Sequence, residues 1–250
     1  DGEWVLYTQR SRDMEDDQLE ARTQVWRVRV DGTARRQLTH AISDSRAPAW
    51  SPDGAQIAFL AARGDGDEPR QQVYVLPVDG GEAYPLTAHD TAVTAFRVSP
   101  DGTTLLFLAR DGETDEEERR RAERDDAVVV DETFRGTHLW VQDLQTDEVT
   151  RLTEGPSTVS NPDWSPESGR IAFERRPSPA ANDRWKSDIW VVDVESGETR
   201  KLYENGGSDV SPRWSPDGRT IAFAANEVEA STTMFRKLYL IAPEGGEPRT

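Results

Sequence analysis

The chain has 250 residues, no cysteine, and 47 acidic against 30 basic side chains, for a net charge of −17. Such a surface repels anionic polymers, so nucleic acid is not an expected partner; the lack of cysteine removes disulfides, thiolate nucleophiles and thiolate metal ligands, and suits a reducing cytoplasm. No apolar run approaches the roughly 20 residues needed to cross a bilayer, so no membrane is expected as a partner either.

Asp1-Gly2 fits the end of a turn motif that recurs later, so the gene product is expected to continue upstream. Two strands follow, at Trp4-Val5-Leu6-Tyr7 and Val25-Trp26-Arg27-Val28, then a turn at Asp31-Gly32 and a short strand ending at Leu38-Thr39. A second unit opens with Trp50-Ser51-Pro52-Asp53-Gly54. It continues with apolar runs at Gln56-Ile57-Ala58-Phe59 and Val73-Tyr74-Val75-Leu76, a turn at Asp79-Gly80-Gly81, and Leu86-Thr87. The third unit repeats this from Val98-Ser99-Pro100-Asp101-Gly102 through Thr104-Leu105-Leu106-Phe107 and Leu139-Trp140-Val141-Gln142 to Leu152-Thr153. The fourth runs from Trp164-Ser165-Pro166-Glu167-Ser168 through Arg170-Ile171-Ala172-Phe173 and Ile189-Trp190-Val191-Val192 to Leu202-Tyr203. The fifth has Trp214-Ser215-Pro216-Asp217-Gly218, Thr220-Ile221-Ala222-Phe223 and Leu238-Tyr239-Leu240-Ile241.

The Ser-Pro-Asp-Gly corner has a physical logic. Pro presets φ at the second turn position, Asp caps the turn, and Gly takes the positive φ that other residues resist. Counting the strand that precedes each corner, a unit holds four strands. The Leu38, Leu86, Leu152 and Leu202 ends lie 48, 66 and 50 positions apart. Internal repeats of this length, each a short antiparallel sheet, mark propeller blades. The expected fold is therefore all-β: a β-propeller of four-stranded antiparallel blades, about five of them, at 1–39, 40–87, 88–153, 154–203 and 204–250. The sequence stops where the next Leu-Thr is due, so the array is expected to belong to a larger propeller.

Naming the strands of a unit A to D, the length variation falls between B and C: Ser11–Ala21, Gly64–Arg70, Arg110–Thr137, Pro177–Lys186 and Asn226–Lys237. Connections that carry long insertions mark the working end of a repeat. In the longest, Glu116 and Glu117 precede Arg120 and Arg121 by four residues, which predicts a short helix over 116–124. Arg124, Asp125, Asp126 and Arg135 are candidates for binding a charged substrate terminus, Arg because its planar fork donates two parallel hydrogen bonds to a carboxylate. Trp185 stands outside the repeat positions of the other tryptophans and is the candidate functional aromatic.

Tests for chemistry within the chain fail. Gly155-Pro156-Ser157-Thr158-Val159 and Gly206-Gly207-Ser208-Asp209-Val210 lack the second Gly of a nucleophile elbow and occupy matching repeat positions, so repetition accounts for them. No catalytic residue is expected. His40, His89 and His138 show no ligand spacing, and Asp65 and Asp67 lack the later ligands of a calcium loop, so neither metal nor cofactor is expected.

The Trp-Ser-Pro-Asp-Gly corners followed by Ile-Ala-Phe resemble the propeller repeats shared by TolB-like proteins and the prolyl oligopeptidase family, and the resemblance covers the whole chain. In the third unit, Arg119–Arg124, Asp125-Asp126-Ala127-Val128-Val129-Val130-Asp131-Glu132 and Arg135-Gly136-Thr137-His138-Leu139-Trp140-Val141 are similar to a charged helix, acidic stretch and strand of acylaminoacyl-peptidase and dipeptidyl-aminopeptidase-like members. The resemblance implies a non-catalytic propeller that gates short peptides into a serine exopeptidase. The catalytic α/β-hydrolase domain would then lie C-terminal to this chain and be its partner. The other implication is a TolB-like protein-binding module with no enzymatic role. Open sheet edges and the insertions leave room for a homo-oligomer.

Overall fold

The computed structural model describes residues 2–15, 18–41, 43–64, 69–114, 119, 135–226 and 236–250. The chain divides into two compact units, Asp1–Phe96 and Arg97–Thr250. The first unit holds the sheet of β1 (Trp4–Glu15), β2 (Gln18–Arg29) and β3 (Arg36–Gln37), and the sheet of β4 (Ser45–Trp50), β5 (Gln56–Ala62), β6 (Gln71–Pro77) and β7 (Tyr84–Pro85). The division falls within β8 (Val93–Val98), whose sheet continues with β9 (Thr104–Arg110), β10 (Thr137–Asp143) and β11 (Val149–Arg151). In the second unit follow the sheet of β12 (Thr158–Trp164), β13 (Arg170–Arg176), β14 (Asp188–Asp193) and β15 (Thr199–Tyr203), and that of β16 (Asp209–Trp214), β17 (Ile221–Ala225) and β18 (Lys237–Ile241).

Three sheets thus have the expected four strands and two have three. The first comprises strands B, C and D of its unit, and in the last the D strand is reduced to an isolated bridge between Leu240 and Arg249. The segment Ser11–Ala21 differs from the expected loop: β1 and β2 stay paired from Trp4↔Arg29 to Glu15↔Gln18, so the insertion is an extension of the hairpin itself. The helix expected over 116–124 lies, Arg119 excepted, outside the described residues.

The corner repeats atom by atom. Ser51, Ser99, Ser165 and Ser215 each accept, through Oγ, the backbone N–H five residues on, at 2.9–3.0 Å. Gly54, Gly102 and Gly218 take φ of 71°, 76° and 69°, and Ser168 takes 63° in the one corner without Gly. The Ser hydroxyl also donates to the aspartate of the same corner, the main cause holding Asp53, Asp101 and Asp217 below the usual carboxylate range.

A second device stands just before the corner in three units. Ala47, Asn161 and Ser211 adopt φ of 49°, 48° and 57°, each followed by a proline, and the A–B register shifts there. Proline has no N–H to give to the ladder, so the strand bulges at that point.

Packing is sheet face on sheet face. In the second unit Ala172, Ile189 and Val191 meet Ile221, Phe223, Ala225, Tyr239 and Ile241 of the next sheet. In the first, Val25 and Leu6 meet Phe59, Ala61, Tyr74 and Leu76. Each such large side chain contributes about 1.5–3 kcal/mol on burial. The β18 positions Leu238 and Leu240 break the rule, at 64% and 37% exposed, where the matching Leu139, Val141, Ile189 and Val191 are buried.

Candidate functional site

One register position reveals where the repeat stops being purely structural. Immediately before the strand C pair stand Gln24, Gln72, His138, Asp188 and Lys237 in successive units. In the first two the glutamine closes a neutral network. Thr39 and Thr87 each accept the N–H of Val25 or Val73 through Oγ1 and donate to the Gln Oε1 at 2.7 Å, while the Gln Nε2 donates to Ala41 O or His89 O at 2.9 Å. Every buried polar atom of this knot has a partner, as buried amides require. It ties strand C to the segment leading into the next unit.

In the third unit the threonine is kept and the glutamine is replaced. Leu139 N–H still donates to Thr153 Oγ1 at 2.9 Å, and that hydroxyl lies 3.4 Å from His138 Nδ1. His138 Nε2 reaches Asp111 Oδ2 at 3.1 Å, and Asp111 Oδ1 binds Arg151 Nη1 at 3.0 Å. The set is satisfied by the tautomer with the proton on Nε2, so the ring copies the acceptor and donor of glutamine but aims its donor at a carboxylate. His138 is sealed from solvent, and desolvation is the main cause holding its pKa below the ordinary value; Asp111 opposes that shift, while Arg151 and Arg175 reinforce it. Gly136 is what lets the ring lie here. A Cβ at that residue would stand 2.2 Å from Ser157 O and 2.8 Å from His138 Nε2.

In the fourth unit the position is Asp188, and Tyr203 replaces the threonine. Asp188 Oδ2 pairs with Lys201 Nζ at 2.9 Å, and Lys201 also meets Glu204. Burial raises the Asp188 carboxyl, while the two carboxylates raise Lys201. Arg175, opposite Asp188 in the β13–β14 register, stacks on Trp190 at 4.8 Å, with Nε on Ser157 Oγ at 2.9 Å and Nη2 on Glu154 O at 3.0 Å. The B–C end of the compact unit Arg97–Thr250 therefore carries Arg151, Asp111, His138, Arg175, Asp188, Lys201 and Glu204, charged or ionisable side chains each held by partners.

Of the candidates read from sequence, Arg124, Asp125 and Asp126 lie outside the described residues. Arg135 lies at the B–C end, 3.5 Å from Glu113 and one residue from Gly136. Trp185 is half-buried in the β13–β14 connection, after a 3-10 turn at Ala181–Asp183, with the Arg184 guanidinium 4.4 Å over its ring. Ser157 Oγ accepts from Arg175 and donates to Glu154 O, and Ser208 Oγ bonds Ser187 Oγ at 2.8 Å; neither meets a histidine. Asp111, His138, Arg151, Asp188 and Lys201 escaped the sequence reading. For His138 and Asp188 a signal was present in the alignment of the units, as the step from Gln24 and Gln72 to ionisable residues; Asp111, Arg151 and Lys201 gave none.

Residues 131–236 match the TolB beta propeller domain family. No curated protein matches the chain. Among solved structures it is similar to an oligogalacturonate lyase in complex with manganese, at 16% identity and a TM-score of 0.69 over 99% of this chain and 61% of that one. It is similar to the acylaminoacyl peptidase of Pyrococcus horikoshii, at 19% identity and a TM-score of 0.65 over 96% of this chain and 37% of that one. TolB from Acinetobacter baumannii gives 18% identity and a TM-score of 0.59, over 90% of this chain and 48% of that one. The chain thus spans from about a third to three-fifths of the length of these structures. Their shared architecture is the β-propeller, which is the fold of this chain, resembling both the propellers of peptidases and TolB-like domains. Among the described residues, no group of three or more His, Cys, Asp or Glu side chains could hold a metal ion.

Proposed function

We propose that this chain is the non-catalytic propeller of a cytoplasmic serine exopeptidase of the prolyl oligopeptidase family, gating short peptides toward a hydrolase domain and helping to select their charged termini. The observation that carries the reading is the replacement of a closed Gln–Thr knot by the Arg151–Asp111–His138 and Lys201–Asp188–Glu204 sets at one end of the second unit. Groups held in place before a ligand arrives discriminate charge without the cost of ordering long side chains at binding. The third-unit segment from Arg119 to Val141, with its similarity to acylaminoacyl-peptidase-like members, supports the same reading. In it Arg135 binds the peptide terminus, Arg124, Asp125 and Asp126 remain candidates for the same role by sequence alone, and Trp185 packs against an apolar side chain.

The experiment compares the complete gene product with this chain alone on acetyl-amino-acid and dipeptidyl chromogenic substrates, with a serine-reactive phosphonate as label. The reading expects phosphonate-sensitive hydrolysis by the complete product only. Absence of both hydrolysis and a labelled serine overturns it. That outcome favours the second reading, a protein-binding module, which the TolB beta propeller match over residues 131–236 supports.

A further inference from the structure

Asp209, the first residue of β16, lies five residues before Trp214. The matching positions, five before Trp50, Val98 and Trp164, are Ser45, Val93 and Val159, all buried. The fifth unit thus sets a carboxyl where its relatives bury a hydroxyl or an isopropyl group. Asp209 is 0% exposed, and neither carboxyl oxygen has a hydrogen-bond partner among the described residues. Its backbone N–H donates to Ser187 O at 2.8 Å, which fixes it against the neighbouring sheet.

Among the described residues, the groups around it cannot neutralise an anion. From β14 comes Asp188; from β15 and the residue beyond it come Lys201 and Glu204. The ammonium is already shared between those two carboxylates. Ser187 and Ser208 hydroxyls bond each other. On β17 the residue opposite is Ala225, and Lys237, next along that row on β18, is exposed. An ionised Asp209 would be a third carboxylate beside one lysine, at a position sealed from solvent.

We propose that Asp209 is a pH-operated latch on the seam between the β12–β15 and β16–β18 sheets, closed while the carboxyl holds a proton and loosened when it is ionised. Burial, then the Asp188 and Glu204 charges, push its pKa up to about 8 from an ordinary 3.8, and Lys201 opposes the shift. The folded chain therefore holds a proton that the unfolded chain has released, between about pH 4 and pH 8. Stability falls as pH rises across that window and is flat above it. Loosening would begin at the Asp209–Ser187 bond, at the same end of the unit as the ionisable row.

Denaturant titrations of the full chain from pH 5 to pH 9 are compared with Asp209→Val, the residue that two other units use, and with Asp209→Asn. Relative to the parent, the folding equilibrium constant of Asp209→Val rises up to tenfold for each pH unit to about pH 8, then stays level. Exchange of the Asp209 amide, referred to the same amide in the Val variant, quickens over that range. Carbon NMR of the Asp209 carboxyl in the parent, which needs no folded variant, gives a midpoint near 8. A midpoint near 4, or a stability gap that does not change with pH, overturns the latch, as does amide exchange that runs parallel in both proteins.

Discussion

The threonine of the Gln–Thr knot shows how a single hydroxyl does two jobs. Thr87 Oγ1 accepts from Val73 N–H at 3.0 Å and donates to Gln72 Oε1 at 2.7 Å, both buried. Thr87→Val keeps the shape but leaves the buried Val73 N–H unpaired, while Gln72 Oε1 still accepts from the His89 N–H at 3.0 Å, so chemical denaturation should show a loss of about 1–3 kcal/mol, with Thr87→Ser recovering most of it. His138 is legible in sequence only as a departure from that glutamine, because its partners Asp111 and Arg151 come from the ends of other strands. Since desolvation holds its pKa below the ordinary value, the unfolded chain takes up its proton first as pH falls. The parent should therefore lose stability relative to His138→Gln below about pH 6.5, with no difference in slope above it. Equal slopes throughout, read from denaturation midpoints, would show that the ring takes up its proton as readily in the folded chain as in the unfolded one.

At the scale of the element, the alternating apolar runs and the Ser-Pro-Asp-Gly corners specified strands and turns well, since period-two patterning and positive φ at glycine act locally. The long β1–β2 hairpin was not legible as strand, because Ser11–Ala21 is polar and its pairing comes from the register set by the apolar part of the same hairpin. The bulges were hidden in a similar way, although Pro48, Pro162 and Pro212 mark them once the structure is known. Glu174 exploits two of these bulges: its carboxylate accepts from Ser160 Oγ at 2.8 Å, Asn161 Nδ2 at 2.7 Å and the backbone N–H of Ser211. The matching residues in the other units are Thr8, Leu60, Leu108 and Ala224. Glu174→Ala strands the Ser211 N–H and should cost about 3 kcal/mol in denaturant titrations. Gly136→Ala should cost about 1–3 kcal/mol by driving a methyl group into Ser157 O, with the His138–Asp111 contact displaced.

At the scale of the molecule, the repeat made the β-propeller fold legible because each unit is stabilised by the same few positions facing the same way. The function was less legible, because the residues that distinguish one unit from the next lie at strand ends and gain their partners only through neighbouring strands. The exposed Leu238 and Leu240 face belongs to this scale. Replacing both with Lys should lower binding of an apolar dye while changing stability by no more than about 0.5 kcal/mol, as for other surface sites; a loss of about 2 kcal/mol or more, the size expected at a buried core position, would show that the face is covered.

The central claim, that the charged B–C end of the second unit selects peptide termini, is tested most directly by terminal discrimination in the complete gene product. Values of kcat/KM are measured for one short peptide with its amino and carboxyl termini free or blocked, in the parent and in Arg135→Ala and Arg151→Ala variants. The ratio between free and blocked termini is expected to shift about tenfold, equivalent to one charge-assisted contact of roughly 1.4 kcal/mol, with activity on the doubly blocked peptide retained. Unchanged ratios in both variants would contradict the claim.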